Sequence, residues 1–100
     1  MKVKARIKKE LAEVKLLAQH PMETGFRKDE DTGELIPAKY IRELTCKHKD
    51  KVVFIANFSH SISKNPYLSF SFAGALKGDP LTLSWIDNTG ETLSVEAVIK

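Results

Sequence analysis

Apolar and polar residues alternate along most of this chain. Val3, Ala5 and Ile7 are interleaved with Lys2, Lys4, Arg6 and Lys8. A period of two sends successive side chains to opposite faces of a strand. The segment therefore predicts a half-buried strand with a cationic outer face. Val14, Leu16 and Ala18 repeat the pattern ahead of His20 and Pro21. Leu11 to Gln19 also fits a helical period, but Pro21 closes it early and its neighbours read as strands, so a strand is preferred. In a third candidate, Tyr40, Arg42, Leu44 and Cys46 share one face, and Ile41, Glu43 and Thr45 the other. Val52 to Phe58 is rich in β-branched and aromatic residues, which favour strands. Leu68, Phe70 and Phe72 alternate with Ser69 and Ser71, the clearest strand pattern in the chain. Leu81, Leu83 and Trp85 alternate with Thr82 and Ser84, and Leu93, Val95, Ala97 and Ile99 form the last run.

Turn signals separate several of these runs, notably Lys49-Asp50-Lys51 and Asn88-Thr89-Gly90. About seven short strands in 100 residues predict an all-β chain, an immunoglobulin-like antiparallel β-sandwich of two sheets. One domain is expected over residues 1–100. Its expected core includes Leu16, Leu44, Phe54, Leu68, Phe70, Phe72, Leu83, Trp85 and Val95. The paired cysteines of antibody domains are absent. Pro21 to Pro37 stands apart, because a structureless stretch this long inside a compact domain usually carries a function. A second irregular stretch runs from Ser59 to Pro66.

Composition narrows the function. With 42% hydrophobic and 29% charged residues, the chain has enough apolar surface to fold. Its net charge is +3, with one basic cluster at Lys2 to Lys9 and an acidic run at Asp29-Glu30-Asp31. That mixture weighs against nucleic-acid binding, which needs cations gathered on one face. No apolar run approaches the ~18 residues of a membrane helix, so no membrane contact is expected. The lysine-interrupted start does not read as a signal peptide. A single cysteine, Cys46, rules out an internal disulfide.

His20, Cys46, His48 and His60 are the candidate metal ligands, and thiolate with imidazole suits iron, copper or zinc. A superoxide-reductase-type redox protein is the nearest enzyme alternative, but three histidines are one short and its Cys-Asn-x-His motif is missing. Cys46 and His48 are read as a buried strand thiol beside an exposed histidine. No Gly-x-Ser-x-Gly elbow and no glycine-rich phosphate loop is present. Asp29, Glu30, Asp31 and Glu34 are expected to be solvated and poorly placed for acid–base work. The reading is no catalytic residue, no metal and no cofactor. Surface recognition remains, since Met22, Phe26 and Ile36 stand among charges with Arg27, as interfaces favour.

The segment His20-Pro21-Met22-Glu23-Thr24-Gly25-Phe26-Arg27-Lys28-Asp29 resembles the signature of the SoxZ family. The resemblance continues through Gly33, Ile36-Pro37, Tyr40-Ile41 and Leu44-Thr45-Cys46. It returns at residues 63–72, around Asn65-Pro66-Tyr67, and at residues 83–90. Such a resemblance implies an immunoglobulin-like sandwich that pairs with SoxY, whose C-terminal cysteine carries the sulfur substrate covalently on a flexible arm. The chain would then be a non-catalytic subunit of the SoxYZ carrier complex in thiosulfate oxidation, helping present that cargo to other Sox enzymes. It would lie in the periplasm, exported with its partner. A homodimer is conceivable when it is expressed alone. A free-standing adhesion or chaperone-like sandwich is the remaining alternative. The chain ends at Lys100 without a cysteine-bearing glycine-rich tail, so it reads as the Z half. Met22, Phe26, Arg27, Lys28, Ile36, Tyr40, Asn65, Pro66 and Tyr67 are the expected partner contacts.

Overall fold

The computed structural model describes residues 1–59 and 62–100. Seven strands occur: β1 (Lys2–Lys8), β2 (Leu11–Leu17), β3 (Ile41–His48), β4 (Lys51–Asn57), β5 (Tyr67–Phe72), β6 (Pro80–Asp87) and β7 (Thr92–Val98). They form two antiparallel sheets, ordered β1-β2-β5 and β4-β3-β6-β7. There is no helix among the described residues. The two-sheet β-sandwich foreseen from the alternation is therefore present, with β2 a strand as preferred.

The inner faces supply the core. Val14, Leu16, Ile41, Leu44, Cys46, Leu81, Leu83 and Ile99 are buried, and Trp85 joins them. Each large apolar side chain so buried stabilises the fold by about 1.5–3 kcal/mol before entropy is counted. Phe54, Leu68, Phe70, Phe72 and Val95 pack against this core but stay partly open. The reason is position: β4 and β5 are sheet edges, with no further strand beyond them. Phe54 and Phe70 bridge the two edges as a parallel stack, with ring centroids 4.1 Å apart.

Two details depart from simple alternation. The β3–β6 register shifts between Ile41 and Glu43, so an extra residue bulges there. Arg42 and Glu43 both face outward, and Ile41 joins Leu44 and Cys46 in the core instead of sharing the face of Glu43 and Thr45. His48 was expected on the surface but is buried, because Asp79 supplies it with a partner at 2.8 Å. The β1–β2 and β3–β4 connections are tight pairs, Lys9-Glu10 and Lys49-Asp50, and all four residues have positive φ. That left-handed geometry matches the twist of two-residue hairpins.

Candidate partner interface

The segment between β2 and β3 is not a loose loop. It doubles back as an irregular hairpin arm. Glu23 and Lys39 exchange backbone hydrogen bonds at 2.6 and 3.0 Å, and a second bridge links Lys28 and Leu35. At the tip, the Asp29 carboxylate accepts from the Asp31 and Thr32 amides at 2.8 and 3.2 Å, and its carbonyl accepts from Gly33. A short acidic side chain that accepts from the backbone two and three residues on is what a turn of this kind uses. Gly25 lies at φ +88°, and a Cβ there would sit 3.1 Å from the Ala38 Cβ. The arm closes against itself at that point, and glycine permits it.

Three clamps hold the base of the arm. Asn65 accepts from the His20 amide through Oδ1 at 2.9 Å and donates its own amide to the His20 carbonyl at 3.0 Å. Asn65 sits at φ +52°, a conformation asparagine tolerates. Asn88 accepts from the Tyr40 amide at 2.8 Å and donates Nδ2 to the Ala38 carbonyl at 2.9 Å. The third clamp is Asp87, 1% exposed.

Asp87 is saturated with donors. Its Oδ1 accepts from the Thr89 hydroxyl at 2.6 Å and from the Thr89 and Glu91 amides at 2.9 and 3.0 Å. Its Oδ2 accepts from Lys39 Nζ at 3.0 Å and faces His20 Nε2 at 3.2 Å. Lys39 also pairs with Glu91. Met22 donates its amide to His20 Nδ1 at 3.0 Å, which leaves Nε2 to carry the proton that Asp87 accepts. Burial works against the charged carboxylate, but the hydrogen bonds from Thr89, Lys39 and His20 outweigh it and hold Asp87 well below the usual carboxylate range. The His20 ring meets Trp85 edge to face, centroids 5.0 Å apart. This group ties the arm to the end of β6 and to the core in one place.

Each expected contact residue now has a position. Phe26 is 76% exposed and Tyr67 59% exposed. Lys28 is exposed, and Ile36 and Tyr40 are half-buried. Arg27 is exposed but already forked onto Glu23, at 2.6 and 3.2 Å. That bond, with the attraction of Glu23, raises the Arg27 pKa, while the Arg27 bond lowers that of Glu23. Met22, expected as an exposed anchor, is instead 4% exposed and lies beneath the arm, its sulfur 3.3 Å from the Ile41 amide. Pro66 is likewise buried, its carbonyl accepting from the Ala18 amide at 2.9 Å. Asn65 is exposed and acts from below by pinning His20. Sequence reasoning missed Leu35, which is 58% exposed on the outer side of the arm. It also missed the joining of His20 to Asp87, 67 positions apart. Of the expected contacts, Phe26, Arg27, Lys28, Asn65 and Tyr67 are exposed, as is Leu35, whereas Met22 and Pro66 are buried.

The metal candidates do not converge. His20 serves Asp87 beside the start of β3, and His48 serves Asp79 at its other end. Among the described residues, no three His, Cys, Asp or Glu side chains form a metal-holding group. His60 lies outside the described residues. Cys46 is buried as expected, and burial pushes its thiol up to about 11, so it stays protonated at neutral pH. Two comparisons with known proteins complete the picture. The family model described as sulphur oxidation protein SoxZ matches residues 1–98. No curated protein matches the chain.

Proposed function

Because the chain belongs to the SoxZ family of sulphur oxidation proteins, we propose that it is the partner-binding half of a SoxYZ carrier, with the arm as its main contact surface. It pairs with SoxY and holds that subunit so that its covalently bound sulfur intermediates reach the other Sox enzymes during thiosulfate oxidation. The pair works in the periplasm, where this subunit arrives bound to its partner. The chain itself performs no bond-making step.

One observation carries the reading. Large apolar side chains, Phe26 and Leu35, stand exposed on an arm whose base is fastened by hydrogen bonds from Asn65 and Asn88 and by the buried His20–Asp87 pair. Exposed apolar surface on a pre-organised support is what binding uses, since little ordering entropy is lost on contact. Arg27 beside them is oriented by Glu23, ready to share its remaining donors with a carboxylate. Tyr67 adds a second aromatic ring, next to the clamp residue Asn65.

The test is calorimetric titration of SoxY with Phe26→Ala, Leu35→Ala and the control Lys77→Ala, alongside thiosulfate-dependent cytochrome reduction in the reconstituted system. A central apolar anchor is worth about 2 kcal/mol or more, so the first two variants should bind at least roughly 30-fold more weakly. The control should bind as the parent does. Equal affinity for all three would reject the arm as the interface.

A further inference from the structure

The edge of β1 faces β7 without forming a ladder with it. One bridge joins them: the Lys100 amide donates to the Ala5 carbonyl and the Ile7 amide to the Lys100 carbonyl, both at 2.9 Å. Toward Met1 the strands part and leave a groove of about 750 Å³. Backbone groups alternate sides along a strand. Since the Ala5 carbonyl and Ile7 amide point at Lys100, the Val3 amide and carbonyl and the Ala5 amide point into the groove. Among the described residues, no backbone hydrogen bond joins Val3 to β7.

The lining has two parts. Val3, Ala5, Val95 and Ala97 give an apolar floor. Lys4, Arg6, Lys15 and Lys100 stand at its rim with Glu13 and Glu96, and Lys2 and Lys8 extend the exposed cationic row of β1, with Lys15 directly opposite Lys4 on β2. This outer face carries five cations and one carboxylate, Glu13, which Arg6 and Lys15 share at 3.3 and 3.7 Å. Its net charge of +4 exceeds the +3 of the whole chain, so the rest of the molecule is slightly acidic. Like charges directly opposite in a sheet cost stability. Lysines that merely guard an edge against aggregation explain β1 alone. They explain neither Lys15 opposite Lys4 nor the apolar floor.

We infer that this groove takes an extended acidic segment of a partner protein, added as a strand along the free edge of β1. The backbone of such a segment would satisfy the open Val3 and Ala5 groups. Its alternate side chains would divide by parity. One set, Asp or Glu, stands beside Lys2 and Lys4 at cross-strand distance, within reach of the Arg6 guanidinium where the segment meets Lys100. The other, small and apolar, lies on Val3, Val95 and Ala97. A nucleic acid has no backbone ladder to offer, and among the described residues Tyr67 is the lone aromatic ring on the outer face, too few for base stacking. The inference does not depend on SoxY being the partner at the arm.

The test titrates the full ¹⁵N-labelled chain with acetyl-Gly-Glu-Val-Glu-Ala-Glu-Val-Gly-amide and follows backbone amide shifts. Saturable shifts are expected at residues 1–7 and 95–100, weakening about fivefold between low salt and 0.5 M salt as the charges are screened. The double variant Lys4→Glu, Arg6→Glu should bind about tenfold more weakly while keeping a dispersed spectrum. If that variant unfolds, the peptide with lysine in place of each glutamate decides on the parent chain, and it should not bind. The inference is overturned by the absence of saturable shifts at millimolar peptide, by equal binding of the lysine peptide, by shifts centred on Lys15, Ser69 and Ser71 instead of the groove, or by equal or tighter binding of an eight-nucleotide oligothymidylate.

Discussion

Two histidine–aspartate pairs, one buried and one partly buried, sit at opposite ends of the central strands, and they serve different ends. At the arm, Asp87, the last residue of β6, receives hydrogen bonds from β2's extension, the arm and the β6–β7 turn, the last through Thr89 and Glu91. At the far end, Asp79 receives the Leu76 amide at 2.9 Å and His48 Nε2 at 2.8 Å, with Lys49 more distant at 3.8 Å. The His48 ring leans on Phe72, centroids 5.4 Å apart. The first pair joins three segments to the end of β6 at one point. The second staples one short turn to the end of β3. The same chemical couple is therefore a foundation in one place and a local fastener in the other. The difference lies in how many chain segments converge on the carboxylate, not in the pair itself.

The largest test of this contrast removes the acceptors. Asp87→Ala would strand donors from Thr89, Lys39, His20 and Glu91 in a buried site, and should destabilise the fold by about 3–5 kcal/mol in urea unfolding. Asp79→Ala should cost clearly less. Equal losses would break the contrast.

Acid sharpens it. Hydrogen bonds from Leu76 and His48 lower the Asp79 carboxyl, and Asp87 is held lower still against its burial. Both folded values lie below the unfolded value of about 3.9. Protonation then favours the unfolded chain, so this stability is complete above that value and is lost as pH falls from there through the folded values. Stability measured against pH should fall steeply below about pH 4. Asp87→Asn should be less stable at pH 7 and flatter below pH 4, and Asp79→Asn should flatten the curve less.

A smaller effect separates the arm's inner and outer glycines. Gly25→Ala forces a side chain onto Ala38 at positive φ and should cost about 1–2 kcal/mol, read as faster amide exchange in the arm. Gly33 has the same sign of φ but open space around it, so Gly33→Ala should perturb exchange less and only near the tip.

Much of the sheet framework was legible from alternation. β1, β5 and β6 follow the period without interruption, and their inward sets face the core. The pattern failed at Ile41 because one bulged residue reverses parity for everything before it. The Lys9-Glu10 turn lacks the glycine or asparagine that announces such geometry, so its tightness was invisible. The arm was read as a loop standing apart from the strands, but neither its hairpin form nor its facing was legible. The Lys28–Leu35 bridge puts Leu35 on the open side and leaves Ile36 half-covered, and no local rule sets that pairing. His20 and Asp87 each looked ordinary. Their partnership is made by β2 and β6 ending at the same pole, a consequence of topology that one sequence does not display.

We propose that a firmly based arm presents the surface a Sox partner grips. The direct measurement is the backbone amide footprint of unlabelled SoxY on the ¹⁵N-labelled chain. Shifts and exchange protection are expected to concentrate on residues 24–36 and around Tyr67, with the His20 and Asp87 amides already protected in the free chain. A footprint centred on the exposed edge strand β4, at Val52 and Ile55, with the arm unchanged, would contradict it.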